Sequence, residues 1–295
     1  MKIKNYHIVV FPLMILNILG FLTSDSVNTI LISQERVIVK EDTLKSIISD
    51  TLNFRPTDTL RKIENRAFRG GEYLRFNINY GFITAGEAIL RVSDTIYNGR
   101  ICYKVNFSLD SKPFFDVFYK VRDRYNTIID AEGIFPWRFE QHIREGGFSR
   151  DFMAEFDHIN LTAATTEGSY RIPSYVQDIM SAFYYTRTLD FSSAKPGETI
   201  TLNNFYKDST YELTVKYKGK QTIELKSGKF NCIVVEPIAK EGGLFKSEGK
   251  IYIWLTDDNH KMPVFVRAKI VIGSIESELV EYRGIAGPIN MKVGG

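Results

Sequence analysis

The chain has 295 residues, 44% of them hydrophobic and 25% charged, and carries a formal net charge of +3 at pH 7. These proportions are typical of a folded globular protein and exclude a disordered chain, and the small net charge gives no basic excess of the kind that binds nucleic acid. Aromatic residues make up 13% of the chain, which favours β-strands and large apolar contact surfaces.

The N-terminal segment has the pattern of a signal peptide. Lys2 and Lys4 form a short positive region, and an apolar run from Ile8 to Leu22 follows before small and polar residues begin. The run is too short to span a bilayer comfortably, although an uncleaved N-terminal anchor remains the alternative. We therefore expect cleavage after residues 1–24, an exported protein of the periplasm or the medium, and membrane contact only through this leader.

The rest of the chain divides into a polar segment, a β-rich region and a short tail. Residues 25–66 lack a long apolar periodicity, which predicts a linker or a loosely docked arm. Residues 67–288 are expected to form a single β domain, and residues 289–295 a C-terminal tail. In "EYLRFNINY", from Glu72, apolar and polar residues alternate, and similar stretches recur to Tyr282, so roughly eleven or twelve antiparallel strands are expected.

One segment, "PSYVQDIMSAFYYTRTL", breaks the strand pattern and predicts a single inserted helix. Its apolar residues recur at helical spacing, and Ser174 with Gln177 has the pattern of a capping box. On the predicted helix we interpret Asp178 and Arg187 as tethers to the rims of the sheet. The predicted fold is therefore mainly β: a large curved antiparallel sheet, or open and incomplete β-barrel, with one inserted helix.

The acidic stretch "DDNH", Asp257 to His260, has two competing interpretations. A calcium loop needs more oxygen ligands and a distal glutamate, and a catalytic zinc needs further histidines nearby. Asp and Asn between two alternating stretches are instead typical of a tight hairpin turn. The sequence therefore predicts no metal site here, and it contains no cofactor-binding or catalytic motif that would assign catalytic residues elsewhere.

Two charged residues fall in the apolar phase of their predicted strands. Asp123 shares a face with Tyr119 and Tyr125, and Arg150 shares a face with Phe152. Inward charges are costly unless they are paired, so the sequence predicts a structural ion pair between Asp123 and Arg150. The functional alternative is a polar anchor in an apolar ligand cavity. The candidate cavity residues are Asp123, Arg150, Tyr119, Tyr125, Phe152 and Phe183.

Cys102 and Cys232 are the only cysteines, and each lies within a predicted strand. Export permits a disulfide, but the strand phases place the two side chains on opposite faces if both strands share one sheet. The strand phases therefore disfavour a disulfide between Cys102 and Cys232 without excluding it.

Several stretches resemble a family of bacterial exported proteins known as domain of unknown function 3108. They include "GEYLRFNINYGFITAGEAIL", "VRDRYNTIIDAEGIFPWRFEQHIREGGF", "YVQDIMSAFYYTRTL", "SGKFNCIVVEP" and "IWLTDDNHKMPVFV", and they run from about Gly70 to Tyr282. That family has no established activity, so the resemblance implies no catalytic residues. The last two stretches are also similar to the lipoprotein-carrier (LolA/LolB-like) superfamily, which implies an incomplete barrel with a helix covering an apolar hollow.

The leading expectation for function is a non-enzymatic periplasmic binding or carrier protein. Its ligand would be a hydrophobic small molecule or lipid, an acyl chain or an apolar peptide, because dense aromatic alternation can line a hollow as well as fill a core. The first alternative is a structural or protein-interaction factor of the cell envelope with a packed core, whose partner would be another envelope protein. The second alternative is an envelope hydrolase. No nucleic-acid partner is expected.

Overall fold

The computed structural model describes residues 60–239, 250–270, 273–289 and 292–293. The predicted leader, residues 1–24, and residues 25–59 of the predicted arm lie outside this range. The strands are β1 (Tyr73–Tyr80), β2 (Ile83–Tyr97), β3 (Arg100–Ser111), β4 (Arg122–Asp130), β5 (Pro136–Glu145), β6 (Phe148–Asp157), β7 (Thr162–Thr165), β8 (Gly168–Arg171), β9 (Thr199–Tyr206), β10 (Ser209–Leu225), β11 (Gly228–Ala239), β12 (Ile251–Thr256), β13 (Pro263–Lys269), β14 (Ser274–Arg283) and β15 (Lys292–Val293). The helices are α1 (Pro113–Tyr119) and α2 (Ile179–Thr188).

All of these strands belong to one antiparallel sheet. Strands that follow one another in the chain are neighbours from β1 to β8 and from β9 to β14, and β14 pairs back on β1. The edges of the sheet are therefore β8 and β9, which do not pair with each other along the described path. The predicted fold, a large curved antiparallel sheet in the form of an open barrel, is confirmed. No helix in the described part of the chain is long and apolar enough to span a bilayer.

Edge strand β9 contacts the other end of the sheet through side chains, and it contacts the segment before α2 through one short backbone bridge. Phe205 of β9 packs against Phe156 of β6, with ring centroids 5.8 Å apart. Gln177, just before α2, donates its backbone N–H to Asn203 at 2.8 Å and accepts from the N–H of Phe205 at 2.7 Å. The seam is thus covered by the segment that leads into the helix.

The alternation in β1 shows why this sequence forms a half-buried strand. Leu74, Phe76 and Ile78 are buried on the inner face, whereas Arg75 lies outside and pairs with Glu87 at 3.1 Å and with Glu281 at 2.9 Å on the neighbouring strands. The period of two therefore separates an apolar interior from an exterior of cross-strand ion pairs.

Helix α2 is shorter than the segment that the sequence predicted to be helical, and its N-cap residue differs from the predicted one. Asp178 is the N-cap residue, and it forms a capping box with Ser181. The predicted box of Ser174 and Gln177 is wrong, because the backbone of Gln177 is extended and bonded to β9. The described part of the chain contains two helices where the sequence predicted one. The additional helix, α1, lies between β3 and β4 and begins at a proline in its first helical position.

Segments on both sides of the predicted β domain contact the sheet. Residues 60–66, at the end of the predicted linker or loosely docked arm, contact the β4–β5 turn: Arg61 donates to the carbonyls of Gly133 and Ile134, each at 2.8 Å. In the predicted tail, Lys292 and Val293 pair with β11. Both segments extend the sheet region because their backbones find hydrogen-bond partners on it.

Buried polar contacts fix both ends of α2. Arg187, near its C-terminus, is fully buried and binds both carboxylate oxygens of Glu72 at 2.7 Å. It also donates to the carbonyls of Ala67 and His260. At the other end, the carboxylate of Asp178 accepts a hydrogen bond from Thr127 of β4 at 2.7 Å. Six of the ten helix residues are buried, so α2 lies within the curl of the sheet.

Replacing Arg187 with methionine is expected to lower the free energy of unfolding by about 3–5 kcal/mol, because Glu72 would remain buried without its counter-charge. Urea unfolding followed by circular dichroism measures the change. The control is Arg66→Met, which removes an ion pair with Glu64 whose side chains are both exposed and should leave stability near that of the wild type. A loss for Arg187→Met no larger than that of the control would contradict the tether.

Candidate functional site

An apolar cavity of about 140 Å³ lies between α2 and the inner face of the sheet. Its sheet side includes Phe76, Leu109 and Val235, and its helix side includes Met180 and Phe183. Among the described residues of the lining, the only polar side chains are those of Thr186 and Ser277.

The cavity exists because small side chains lie where the helix crosses the sheet. Ala88 on β2 and Ala182 on α2 each present one methyl group to this space, whereas nearby lining positions carry Leu or Phe. Closely packed interiors alternate large and small side chains so that facing layers interdigitate. Here two small residues belong to the same lining, so the layers leave a gap.

The polarity of the lining is low. The hydroxyl of Thr186 donates to the carbonyl of Ala182 within the helix at 2.8 Å, which satisfies it locally. The tethers Asp178 and Arg187 are absent from the cavity wall. The site therefore offers shape and apolar contact, with Ser277 as its one hydroxyl outside the helix.

The sequence identified one residue of this cavity. Of the candidate cavity residues, Phe183 lies in its wall. Tyr125 and Phe152 are buried in the core elsewhere, and Tyr119 ends α1. The helical spacing of Met180 with Phe183 was visible in the sequence, but the strand residues of the wall become neighbours only through the β1–β14 pairing.

The predicted ion pair between Asp123 and Arg150 is wrong, and neither residue lines the cavity. Arg150 donates to the hydroxyl of Tyr206 and binds Glu167, each at 3.0 Å. Asp123 accepts from the backbone N–H of Arg144 at 3.0 Å. Strand β5 lies between the strands of the two residues, so their backbones are about 9.6 Å apart, two strand spacings.

Asp123 instead lies beside a second carboxyl group, that of Glu145, at one end of the sheet. Both are buried. Burial first, and then the charge and hydrogen bond of Asp123, raise the pKa of Glu145 to about 9, against the opposing effect of a hydrogen bond with Tyr119. Burial also raises the pKa of Asp123. The pair therefore holds a proton at neutral pH, since two adjacent buried carboxylates repel each other.

The other residues that could have served as metal ligands or catalytic groups make turn contacts or surface contacts. The "DDNH" stretch is the β12–β13 hairpin turn, as predicted, and Asp258 accepts from the backbone N–H groups of His260 and Lys261 at 3.0 and 3.1 Å. His142 is exposed and contacts Asp151 at 2.8 Å. Within the described residues, no group of three or more His, Cys, Asp or Glu side chains is arranged to hold a metal ion.

Both cysteines are free and buried, so the disulfide left open by the sequence is absent. Burial raises the pKa of each thiol, Cys102 and Cys232, to about 12. Both side chains therefore stay protonated at neutral pH and act as small core residues.

Comparison with known proteins identifies the family. The family model described as Protein of unknown function (DUF3108) matches residues 75–280, which is more than half of the chain. The chain belongs to this family. A comparison of the DUF3108 protein with curated proteins gives no match.

Solved structures similar to this DUF3108 protein are distant in sequence. A Brucella abortus protein, described as β-barrel-like and of domain of unknown function DUF1849, is 11% identical with a TM-score of 0.49, over 74% of this chain and 99% of that one. A candidate exported protein of YmcC-like fold from Bacteroides fragilis is 13% identical with a TM-score of 0.31, over 75% and 98%. A candidate lipoprotein from Parabacteroides distasonis is 10% identical with a TM-score of 0.33, over 76% and 100%.

Replacing Glu145 with glutamine is expected to flatten the dependence of stability on pH. The folded-state pKa of Glu145 is raised to about 9 from 4.5, so above the lower value the unfolded chain loses this proton while the folded chain keeps it. Stability should therefore fall as pH rises between these values, by at most about 1.4 kcal/mol per pH unit. Urea unfolding across this range should show a shallower fall for Glu145→Gln.

The matched control is Glu64→Gln, which neutralises an exposed carboxylate. It should keep the wild-type slope. A Glu145→Gln slope equal to that of the wild type would show that the buried pair holds no extra proton.

Proposed function

We propose that this protein is an exported, non-enzymatic binding protein that holds an apolar ligand in the cavity beneath α2. The ligand class is a lipid acyl chain or a similar apolar group. The observation that carries the proposal is the cavity itself, about 140 Å³ of space walled almost entirely by hydrocarbon side chains. An apolar protein cavity of roughly 150 Å³ stays dry and accepts benzene or xenon, so this volume suits one part of a chain or one ring.

The lining supports binding without chemical conversion of the ligand. In the part of the chain that the structure describes, the hydroxyl groups of the wall belong to Thr186 and Ser277, and no acid, base or histidine shares the wall with them. A hydroxyl nucleophile needs an adjacent base to remove its proton. Burial lowers the pKa of His158 to about 4, and its Nε2 contacts the Pro136 carbonyl at 2.7 Å, away from the cavity.

The leader pattern of residues 1–24 supports export. An exported binding protein would meet apolar ligands in the envelope, where acyl chains are abundant in the bilayer. Binding of this kind draws on burial of the ligand's apolar surface, about 25 cal/mol for each Å² removed from water.

Filling the cavity is expected to weaken ligand binding. Ser277→Phe adds a ring from a half-buried position on the cavity wall. Fluorescence titration with cis-parinaric acid should show saturable binding to the wild type, and at least about tenfold weaker binding to the variant, or about 1.4 kcal/mol.

The matched control is Ser108→Phe, the same substitution at a half-buried residue of β3 that is not part of the cavity wall. It should bind the probe as the wild type does, with both variants checked for native circular dichroism. If the two variants bind equally, the probe occupies another place. If the folded wild type binds nothing, the packed envelope scaffold becomes the better interpretation.

Native mass spectrometry of the protein purified gently from an envelope fraction tests the natural ligand. We expect a reproducible extra mass that organic extraction removes and that is reduced in Ser277→Phe. A bare chain mass for the wild type would argue against a resident ligand.

A further inference from the structure

Exposed apolar side chains gather at one end of the sheet. Phe82 is 98% exposed, and Phe114, Val117 and Phe118 of α1 are 71%, 82% and 75% exposed. Isolated exposed apolar residues are ordinary on protein surfaces, but several large ones together mark sites of interaction with a partner or a membrane.

The strand register places these residues at the same end. Phe82 is in the turn between β1 and β2, and α1 follows β3 after the single residue Lys112. Gly86 of β2 pairs with Ser111 of β3, and the next backbone N–H, that of Lys112, donates to the carbonyl of Ala85 at 2.8 Å. The β1–β2 turn, which carries Phe82, and helix α1 therefore lie next to each other at the ends of β2 and β3.

Helix α1 carries its apolar stripe on the outside. Phe114, Val117 and Phe118 follow the i, i+3, i+4 spacing that defines one face of a helix. The polar contacts lie on the other side: Asp116 binds Arg122 at 2.5 Å, and Tyr119 hydrogen-bonds to Glu145. An amphipathic helix in a globular protein buries its apolar face against the core. In α1 the polar side chains attach the helix to the sheet, and the apolar face is exposed to solvent.

Positive charge flanks this apolar face. Lys112 precedes α1, Lys120 follows it, and both are exposed. The one acid of the helix, Asp116, is already paired with Arg122. Lys250 and Lys269, at the same end of the sheet, are exposed as well. Aromatic side chains with flanking lysines suit a membrane surface, where rings enter the headgroup region and lysines contact lipid phosphates.

We propose that α1 and the β1–β2 turn form a membrane-docking surface, made of Phe82, Phe114, Val117, Phe118, Lys112 and Lys120, that binds bilayers containing anionic phospholipid. Two separate projections tipped with aromatic rings can each enter a fluid bilayer, whereas a protein partner would need a complementary pocket for each. This surface is distinct from the cavity and does not depend on a ligand being there.

The cavity reaches toward the same end of the sheet. Its wall includes Ile78, two residues before the end of β1, and Ile251, the first residue of β12. Docking through α1 would therefore bring the cavity close to the acyl chains of the bilayer.

The test places a tryptophan at the docking surface and measures its contact with lipid. In the full chain, Phe118→Trp is mixed with vesicles of phosphatidylethanolamine and phosphatidylglycerol that contain brominated acyl chains, which quench tryptophan fluorescence on contact. The control is Ile96→Trp, at a residue 75% exposed at the opposite end of the sheet. Every variant keeps residues 1–59, so membrane binding by that segment affects all of them alike.

We expect at least about twofold stronger quenching for Phe118→Trp than for Ile96→Trp, and a loss of this excess when Lys112→Glu and Lys120→Glu are added or when phosphatidylcholine replaces the anionic lipid. Equal quenching at the two positions would overturn the proposal. So would a concentration-dependent dimer in analytical ultracentrifugation that Phe114→Ser with Phe118→Ser abolishes, because the surface would then bind a second copy of the chain.

Discussion

The bidentate pair of Arg187 and Glu72 holds the interior of this protein in place. A buried ion pair loses the hydration of both charges, and it is tolerated when its geometry is good and its remaining donors are satisfied. Here the guanidinium also donates to two carbonyls, and it lies over the rings of Phe68 and Tyr184 at 5.4 and 5.1 Å. The contacts join the helix to the segment before β1 and to the β12–β13 turn, which are distant in the sequence.

The cavity follows from fixing α2 at both ends. Asp178 caps the first turn and contacts β4, and Arg187 fixes the last turn, so the position of the helix is set by polar contacts rather than by optimal packing along its length. A helix free to settle would move toward the sheet until its apolar face was in close contact. Because its ends are fixed, Ala182 and Ala88 leave space that neither side can close.

The sequence predicted those features that depend on local periodicity or turn chemistry. The alternation in β1 and the reversal at Asp258 are properties of a few consecutive residues, and both appear as expected. The alternation along a strand shows which face of the sheet a side chain lies on, but it does not show which side chains of other strands it contacts. For this reason the predicted pairing of Asp123 with Arg150 was wrong. Helix α1 was not predicted, because its seven residues are fewer than the window over which a helical period can be recognised.

The buried polar groups attach elements to the sheet rather than serve the cavity. Glu72 and Asp178 hold α2, and Glu145, with its shared proton and its bond to Tyr119, holds the end of α1. Burying each group costs desolvation free energy. The hydrogen bonds and ion pairs of the group offset this cost and fix an element that apolar packing would not hold in position. If the proposed binding function holds, the described cavity wall, without such a group, would select a ligand by shape and apolar surface alone. Selectivity by polar recognition would have to come from a part of the ligand that stays outside the cavity.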